Sequence, residues 1–108
     1  MVHYDAYFVQ SSDGGASFSI PLKISTATSD PDGSSANGLK AQFVGDYITA
    51  VSDTAGSRLF AVWTDSRNAA SCAAVDAFRA KTGPKPNVIT QCPTTFGNTD
   101  VFLGTVTY

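Results

Sequence analysis

The sequence contains few of the residues on which most catalytic and metal sites depend. Its 108 residues include one histidine, His3, and two cysteines, Cys72 and Cys92. Structural zinc sites and His-based triads draw on several such side chains, so the composition argues against both. Cys72 has no histidine at a plausible position to activate it, which argues against a cysteine nucleophile. We therefore predict neither a bound metal nor another cofactor.

Positive charge and long apolar segments are also scarce. Seven Lys and Arg are scattered among nine Asp and Glu, and the formal net charge is −2. A nucleic-acid surface needs clustered basic residues, and a membrane span needs about 20 consecutive apolar ones. We therefore predict no nucleic-acid partner and no membrane partner. The first residues do not resemble a signal peptide, so we expect any targeting segment of an exported parent to be missing from this sequence.

The two cysteines allow a single intramolecular disulfide, Cys72–Cys92. Such a bond would close a loop and contribute roughly 3 kcal/mol to stability. The alternative is two free, partly buried thiols. Since persistent disulfides form in oxidising compartments, we predict the bond and with it an extracytoplasmic or secreted parent protein.

Aromatic and β-branched residues predict a single, mainly β domain over residues 1–108. Predicted strands cover residues 4–10, 18–24, 42–52, 58–66 and 100–108. Most of the connections are short, which favours antiparallel pairing. The segment 68–98 departs from this pattern, because an alanine-rich run with apolar residues at helical spacing precedes Gly83 and Pro84. It predicts a helix over about residues 69–81 inside an insertion.

The turn "SSDGGASFS" is more specific than a chain reversal requires. The carboxylate of Asp13 can accept hydrogen bonds from backbone N–H groups of its own turn, and Ser11 can bond the same loop. Gly15 allows a backbone conformation that a side chain would disfavour. Phe18 is expected to fold back over the turn and tie it to the sheet. The turn should therefore be rigid, with a structural carboxylate.

The spacing Ser-x-Asp-x-Gly-x-x-aromatic at Ser11, Asp13, Gly15 and Phe18 resembles the Asp-box (BNR repeat) of sialidase-like β-propellers. The flanking "DAYFVQ" and "FSIPLKIS", and later "GDYITAVSDTAGSRLFAVWTDSR" and "TDVFLGTV", resemble blade strands. The resemblance implies antiparallel, blade-like sheets of a partial propeller. Residues 1–25 would be the last two strands of one blade, and residues 40–108 the first three of the next with insertion 68–98. This is about one and a quarter blades, as in the C-terminal piece of a larger protein.

In that family the Asp-box lies on the face opposite the substrate pocket, which implies that Asp13 is structural. The same resemblance puts Asp46, Tyr47, Asp65 and Arg67 on the ligand face, as candidates for contact with a polar ligand such as a glycan. An alternative is that Asp65 and Arg67 pair with each other.

Sialidase-like chemistry uses a tyrosine nucleophile, an acid and an arginine cluster contributed by several blades. This sequence lacks the early-blade arginine motif, so an isolated enzyme is not expected. Because a partial propeller leaves sheet edges and faces uncovered, we predict a non-catalytic, self-associating protein that can bind a glycan. Two alternatives stay open: a glycoside hydrolase whose site is completed by other chains, and a structural or vestigial domain without a ligand.

Overall fold

Two antiparallel sheets and a helical insertion make up the fold. The computed structural model describes residues 2–46 and 48–108. Strands β1 (Tyr7–Phe8) and β2 (Leu22–Lys23) form a hairpin. Strands β3 (Thr49–Ser52), β4 (Arg58–Asp65) and β5 (Asp100–Thr107) form a second sheet in the order β3-β4-β5. The helices α1 (Ala73–Arg79) and α2 (Val88–Gln91) lie between β4 and β5. The predicted mainly β, antiparallel class with a short helical insertion is confirmed.

The hairpin strands and β3 are shorter than the sequence predicts. In the hairpin the chains still run side by side, since the Ser19 N–H donates to the Gln10 carbonyl at 2.8 Å. Pro21 has no N–H to donate, and the regular ladder covers only the two residue pairs beyond it. The strand predicted from residue 42 begins only at Thr49. Gly45 has a φ of 109°, which does not fit a regular strand, so the residues before it do not join the ladder.

The hairpin lies against part of one face of the three-stranded sheet, and this contact forms the first core. A cleft lined by Phe8, Ile24, Ile48 and Ala50 separates the hairpin from the β3 side of that face. Ala61, Trp63 and Val106 are buried there. The rings of Phe8 in the hairpin and Tyr108 after β5 lie 5.6 Å apart. Gly104, opposite Ala61 in the ladder, leaves the space that the Trp63 ring occupies. The packing of this face therefore depends on the Trp63 ring, which fills the space beside the side-chain-free Gly104.

A second core surrounds the disulfide between Cys72 and Cys92. We call it the disulfide core; its buried members are Leu39, Cys72, Val75 and Phe96. The loop that follows the hairpin joins this core through two short 3₁₀ turns, Pro31–Gly33 and Asn37–Leu39. The insertion therefore folds with the loop at residues 26–40 rather than onto the sheet.

The predicted helix over residues 69–81 is shorter at both ends. Ala70 N–H donates to the Thr95 carbonyl instead of entering the helix, and Cys72 is still extended at φ −134°. At the other end Lys81 has a left-handed φ of 60°, which stops helical geometry. Neither helix of the described residues is long and apolar enough to cross a membrane.

The two cores lie along an elongated molecule. Its principal extents are 51 × 25 × 19 Å and its radius of gyration is 17.2 Å, against about 13 Å for a compact domain of this length. Its accessible surface is 7006 Å². A compact monomer of 11.3 kDa is expected to expose about 5,700 Å². The chain therefore exposes roughly 1,300 Å² more surface than a compact monomer of its mass.

Candidate functional site

Asp65 and Arg67 form a tight pair at the end of β4. The Arg67 guanidinium donates from Nε to Oδ1 at 2.9 Å and from Nη2 to Oδ2 at 2.8 Å, and the Arg67 N–H also donates to Oδ1. Trp63 donates its indole N–H to Oδ2 at 3.2 Å. The carboxylate is fully buried, whereas the arginine side chain is 16% exposed. A buried carboxylate with this many donors is satisfied within the protein.

The electrostatics of Asp65 follow from this pairing. Burial by itself would raise the pKa of Asp65, but the hydrogen bonds from Arg67 and Trp63 outweigh it and hold the pKa well below its usual range. The same interaction raises the pKa of Arg67. Asp65 is therefore ionised at neutral pH and is not an available proton donor.

The remaining groups of the Arg67 guanidinium also contact other residues of the protein. Its Nη1 donates to Thr26 Oγ1 at 2.7 Å, and its guanidinium carbon lies 3.9 Å from the centre of the Phe102 ring. The pair thus fixes the loop after the hairpin to the end of the three-stranded sheet. This geometry matches the alternative in which Asp65 and Arg67 serve each other, and it leaves them little freedom to bind a ligand.

Asp46 is exposed and lies in a bend before β3, and the predicted ligand residue Tyr47 is outside the described residues. Beside Asp46 is a cleft of about 190 Å³ between the first residues of the chain and the sheet. Its lining is largely apolar and consists of Tyr4, Asp5, Ala6, Val44, Gly45, Ile48, Trp63 and Thr64. Of the four predicted ligand residues, Asp65 and Arg67 are brought together and Asp46 lies apart from their contacts.

The polar groups of this cleft have partners within the protein. The Tyr4 hydroxyl donates to the Thr64 carbonyl at 3.0 Å. Asp5 forms an ion pair with Lys23 at 2.9 Å and accepts hydrogen bonds from Ser25 and Thr28. The hydrogen bond and charge of Lys23 and the two hydroxyls lower the pKa of Asp5. The described lining therefore holds one carboxylate, Asp5, and its partners keep it in the ionised form.

The turn at Ser11 to Ser19 has the self-satisfied geometry that its residues predict. Asp13 accepts from the Ser17 hydroxyl at 2.6 Å, the Ser17 N–H at 2.9 Å and the Ser11 hydroxyl at 2.7 Å. The Ser11 oxygen in turn accepts the Gly15 N–H at 2.9 Å. Hydrogen bonds from Ser17 and then Ser11 hold the pKa of Asp13 well below its usual range. Gly15 has a φ of 92°, where only glycine is unstrained.

Phe18 does not behave as expected. It is 64% exposed, so the prediction that it ties the turn to the sheet is wrong for this chain. The two-residue hairpin strands end well before the turn, and the three-stranded sheet does not extend under it. Phe18 therefore lacks an apolar surface against which to pack.

Two structural features were missed at the level of the sequence. Asp53 accepts hydrogen bonds from the N–H groups of Ser57 and Arg58 at 2.9 and 3.2 Å, and these bonds lower its pKa. The bond from Ser57, four residues further on, repeats the bond that Asp13 accepts from Ser17. The shared pattern D-x-x-x-S with a glycine between was a usable signal.

Arg79 is the second missed feature. It donates to the carbonyls of Leu39, Asp32 and Ser34 at 3.1, 3.1 and 2.7 Å and thereby holds the loop against α1. No local pattern marks such a contact, because its acceptors are distant in sequence. Among the described residues there is no group of three His, Cys, Asp or Glu side chains that could hold a metal ion.

Comparison of this chain with protein-family models, with curated proteins and with solved structures gives no significant match.

Proposed function

We propose that this chain is a non-catalytic β module of the Asp-box propeller type that self-associates. The observation that carries the proposal is its open, elongated architecture, with roughly 1,300 Å² of surface in excess of a compact monomer. A three-stranded sheet with one face uncovered, the other face only partly covered and two unpaired edges gains stability when another chain covers it.

The hydrogen-bonded turn supports the Asp-box part of the proposal. Asp13, Ser11 and Gly15 satisfy one another in a rigid corner that faces solvent. The order of the elements, a two-stranded hairpin followed by a separate sheet of three antiparallel strands, is compatible with parts of two successive blades. An extracytoplasmic or secreted location belongs to the same proposal, because the Cys72–Cys92 disulfide persists in oxidising compartments.

The non-catalytic part is supported by the state of the candidate acids. Asp65 is locked to Arg67, and Asp5 is locked to Lys23. A retaining glycosidase needs one carboxyl group that can donate a proton, and neither of these has a raised pKa. Turnover of a fluorogenic sialoside that is lost in Tyr47→Phe would contradict this part and favour the hydrolase alternative.

Solution mass tests self-association directly. Light scattering after size exclusion, over protein concentrations from about 1 to 300 μM, should give a mass that rises to a discrete multiple of 11.3 kDa. The same run with reductant separates assembly through sheet surfaces from mixed disulfides between chains. A monomer across the whole range would refute self-association and leave a structural or vestigial domain.

Glycan binding is a second candidate, favoured by the cleft beside Asp46. Its lining includes two aromatic residues, Tyr4 and Trp63, with the apolar Ala6, Val44 and Ile48, and aromatic side chains supply large apolar contact surfaces. A glycan screen followed by titration calorimetry should give binding that Asp46→Ala weakens and the distant Asp76→Ala leaves unchanged. The absence of any hit, or equal effects of the two substitutions, would argue against this site.

A further inference from the structure

The face of the three-stranded sheet that the hairpin does not cover presents a contiguous apolar surface. We call it the open face; its apolar members are Val51, Phe60, Val62, Val101 and Leu103. Strand alternation and the ladder put these side chains on one side, since Val51 is opposite Phe60, and Val62 is opposite Leu103. Val101 is 77% exposed, Leu103 62% and Val51 58%. Exposed apolar residues in such a cluster mark an interaction surface.

The surroundings of the open face are polar but carry little charge. By the same alternation it includes the threonines at 49, 64, 105 and 107, with Arg58 at one end. No carboxylate of β3, β4 or β5 lies among these positions, because Asp65 and Asp100 belong to the other face. A surface of this kind can cover itself, since a two-fold axis at Val62 would put the two Arg58 side chains at opposite ends.

We propose that the open face is the interface between two copies of this chain, packed face to face about a two-fold axis. The proposal rests on the self-association argued above and adds which surface carries it. It describes a sandwich of two three-stranded sheets with a dry apolar centre. In such packings the sheets lie about 10 Å apart with side chains interdigitated.

The hairpin of another copy is a poorer occupant of the open face. Its outward side carries Lys23, which is paired with Asp5 and has a side chain 41% exposed. Covering this ion pair with an apolar surface would remove it from water without supplying new partners, which is unfavourable. The open face of a second copy brings no such group into its centre.

The available area also fits a pair of copies. A standard interface covers about 800 Å² on each partner. A face formed by strands of four, eight and eight residues, about 4.8 Å apart, is at the small end of such interfaces. We expect a dimer of modest affinity, because the sheet is only three strands wide.

Charged substitutions in the open face test the proposal. Val101→Lys and Leu103→Lys would each bury an ammonium group in the interface, and each should weaken dimerisation about 100-fold or more in sedimentation equilibrium. Ile20→Lys and Ile89→Lys are matched controls, because these isoleucines are 89% and 92% exposed and lie outside the open face. The controls should keep the dissociation constant of the unaltered protein.

A cross-link gives a second measurement that does not depend on destabilising the strands. Both natural cysteines are in the disulfide, so Val62→Cys introduces the single free thiol, near the proposed axis. A bismaleimide that spans roughly the 10 Å between packed sheets should link two copies, and the same reagent should not link Ile20→Cys.

The outcomes separate this proposal from the one on which it rests. If the protein dimerises but both lysine variants dimerise equally well and Val62→Cys does not cross-link, the open face is not the interface and self-association stands. If the unaltered protein is a monomer at every concentration, self-association itself fails. Dimer loss in the face variants together with cross-linking at residue 62 establishes the interface.

Discussion

Replacing Gly104 by alanine tests how the sheet core is built. A Cβ at this position would lie 2.9 Å from both Cη2 and Cζ3 of Trp63, and 3.5 Å from the Ile24 carbonyl oxygen. The indole ring is buried and held by its N–H bond to Asp65. A shift of the ring into the cleft beside it would strain or break this hydrogen bond.

Whether Gly104→Ala raises or lowers the folding stability distinguishes between two expectations. On an unobstructed strand, alanine in place of glycine stabilises by roughly 0.5–1 kcal/mol, because it restricts the unfolded chain. Overpacking a fixed ring costs about 1–3 kcal/mol. We expect the second effect to dominate, so that Gly104→Ala lowers the melting temperature by roughly 5–15 °C for a domain of this size.

The assay uses the single tryptophan of the chain as its reporter. Urea unfolding followed by Trp63 fluorescence gives the change in free energy, and the folded-state emission should shift to the red as the ring becomes more exposed. Ser52→Ala is the control, because it places alanine at an exposed strand position outside the open face. An unchanged or increased stability of Gly104→Ala, with native emission, would refute the close contact.

Three further results are expected. Replacing Cys72 and Cys92 together by alanine should cost about 3 kcal/mol, with reduction of the natural protein producing a similar loss in urea unfolding. Arg79→Met should cost about 2 kcal/mol or more because it leaves three carbonyls without their donor, and Arg79→Lys should recover only part of it; equal stability of all three proteins would contradict this role. Because the pKa of Asp65 is lowered in the folded state, its contribution is complete above its ordinary value of 3.8 and is lost as the pH falls through the folded-state value. Asp65→Asn should therefore flatten the acid limb of the stability-pH curve, and a parallel curve would argue against the Arg67 pair.

The parts of the fold that local chemistry determines were predictable from the sequence. Alternation over residues 58–66 and 100–108 predicted β4 and β5 almost to the residue. The turn around Asp13 was predictable because its donors and acceptor lie within a few residues of one another. In both cases the deciding contacts are short in sequence or repeat with the period of the strand.

The parts that depend on tertiary contacts were not predictable in the same way. Phe18 carries the aromatic position of the motif, yet its exposure is set by whether another surface reaches the turn. The capture of carbonyls by Arg79 depends on the loop folding back over α1. At the candidate site, the position of Asp65 and Arg67 at a strand end was predictable, but their mutual satisfaction followed only from the buried geometry that joins them to Trp63 and Thr26.

The insertion explains how a partial set of blade-like strands can form a chain with its own interior. Its helix and disulfide bury Val75 and Cys72 almost completely against the loop after the hairpin. That core stabilises the loop, and the loop in turn is joined to the sheet through the Arg67 contact with Thr26. The hairpin lies on part of one side of the sheet, and neither core extends over the open face. The stability of the chain and its self-association are therefore carried by different surfaces. Leu103→Lys should weaken dimerisation without a matching loss of folding stability, and the disulfide variants should lower stability without changing the open face.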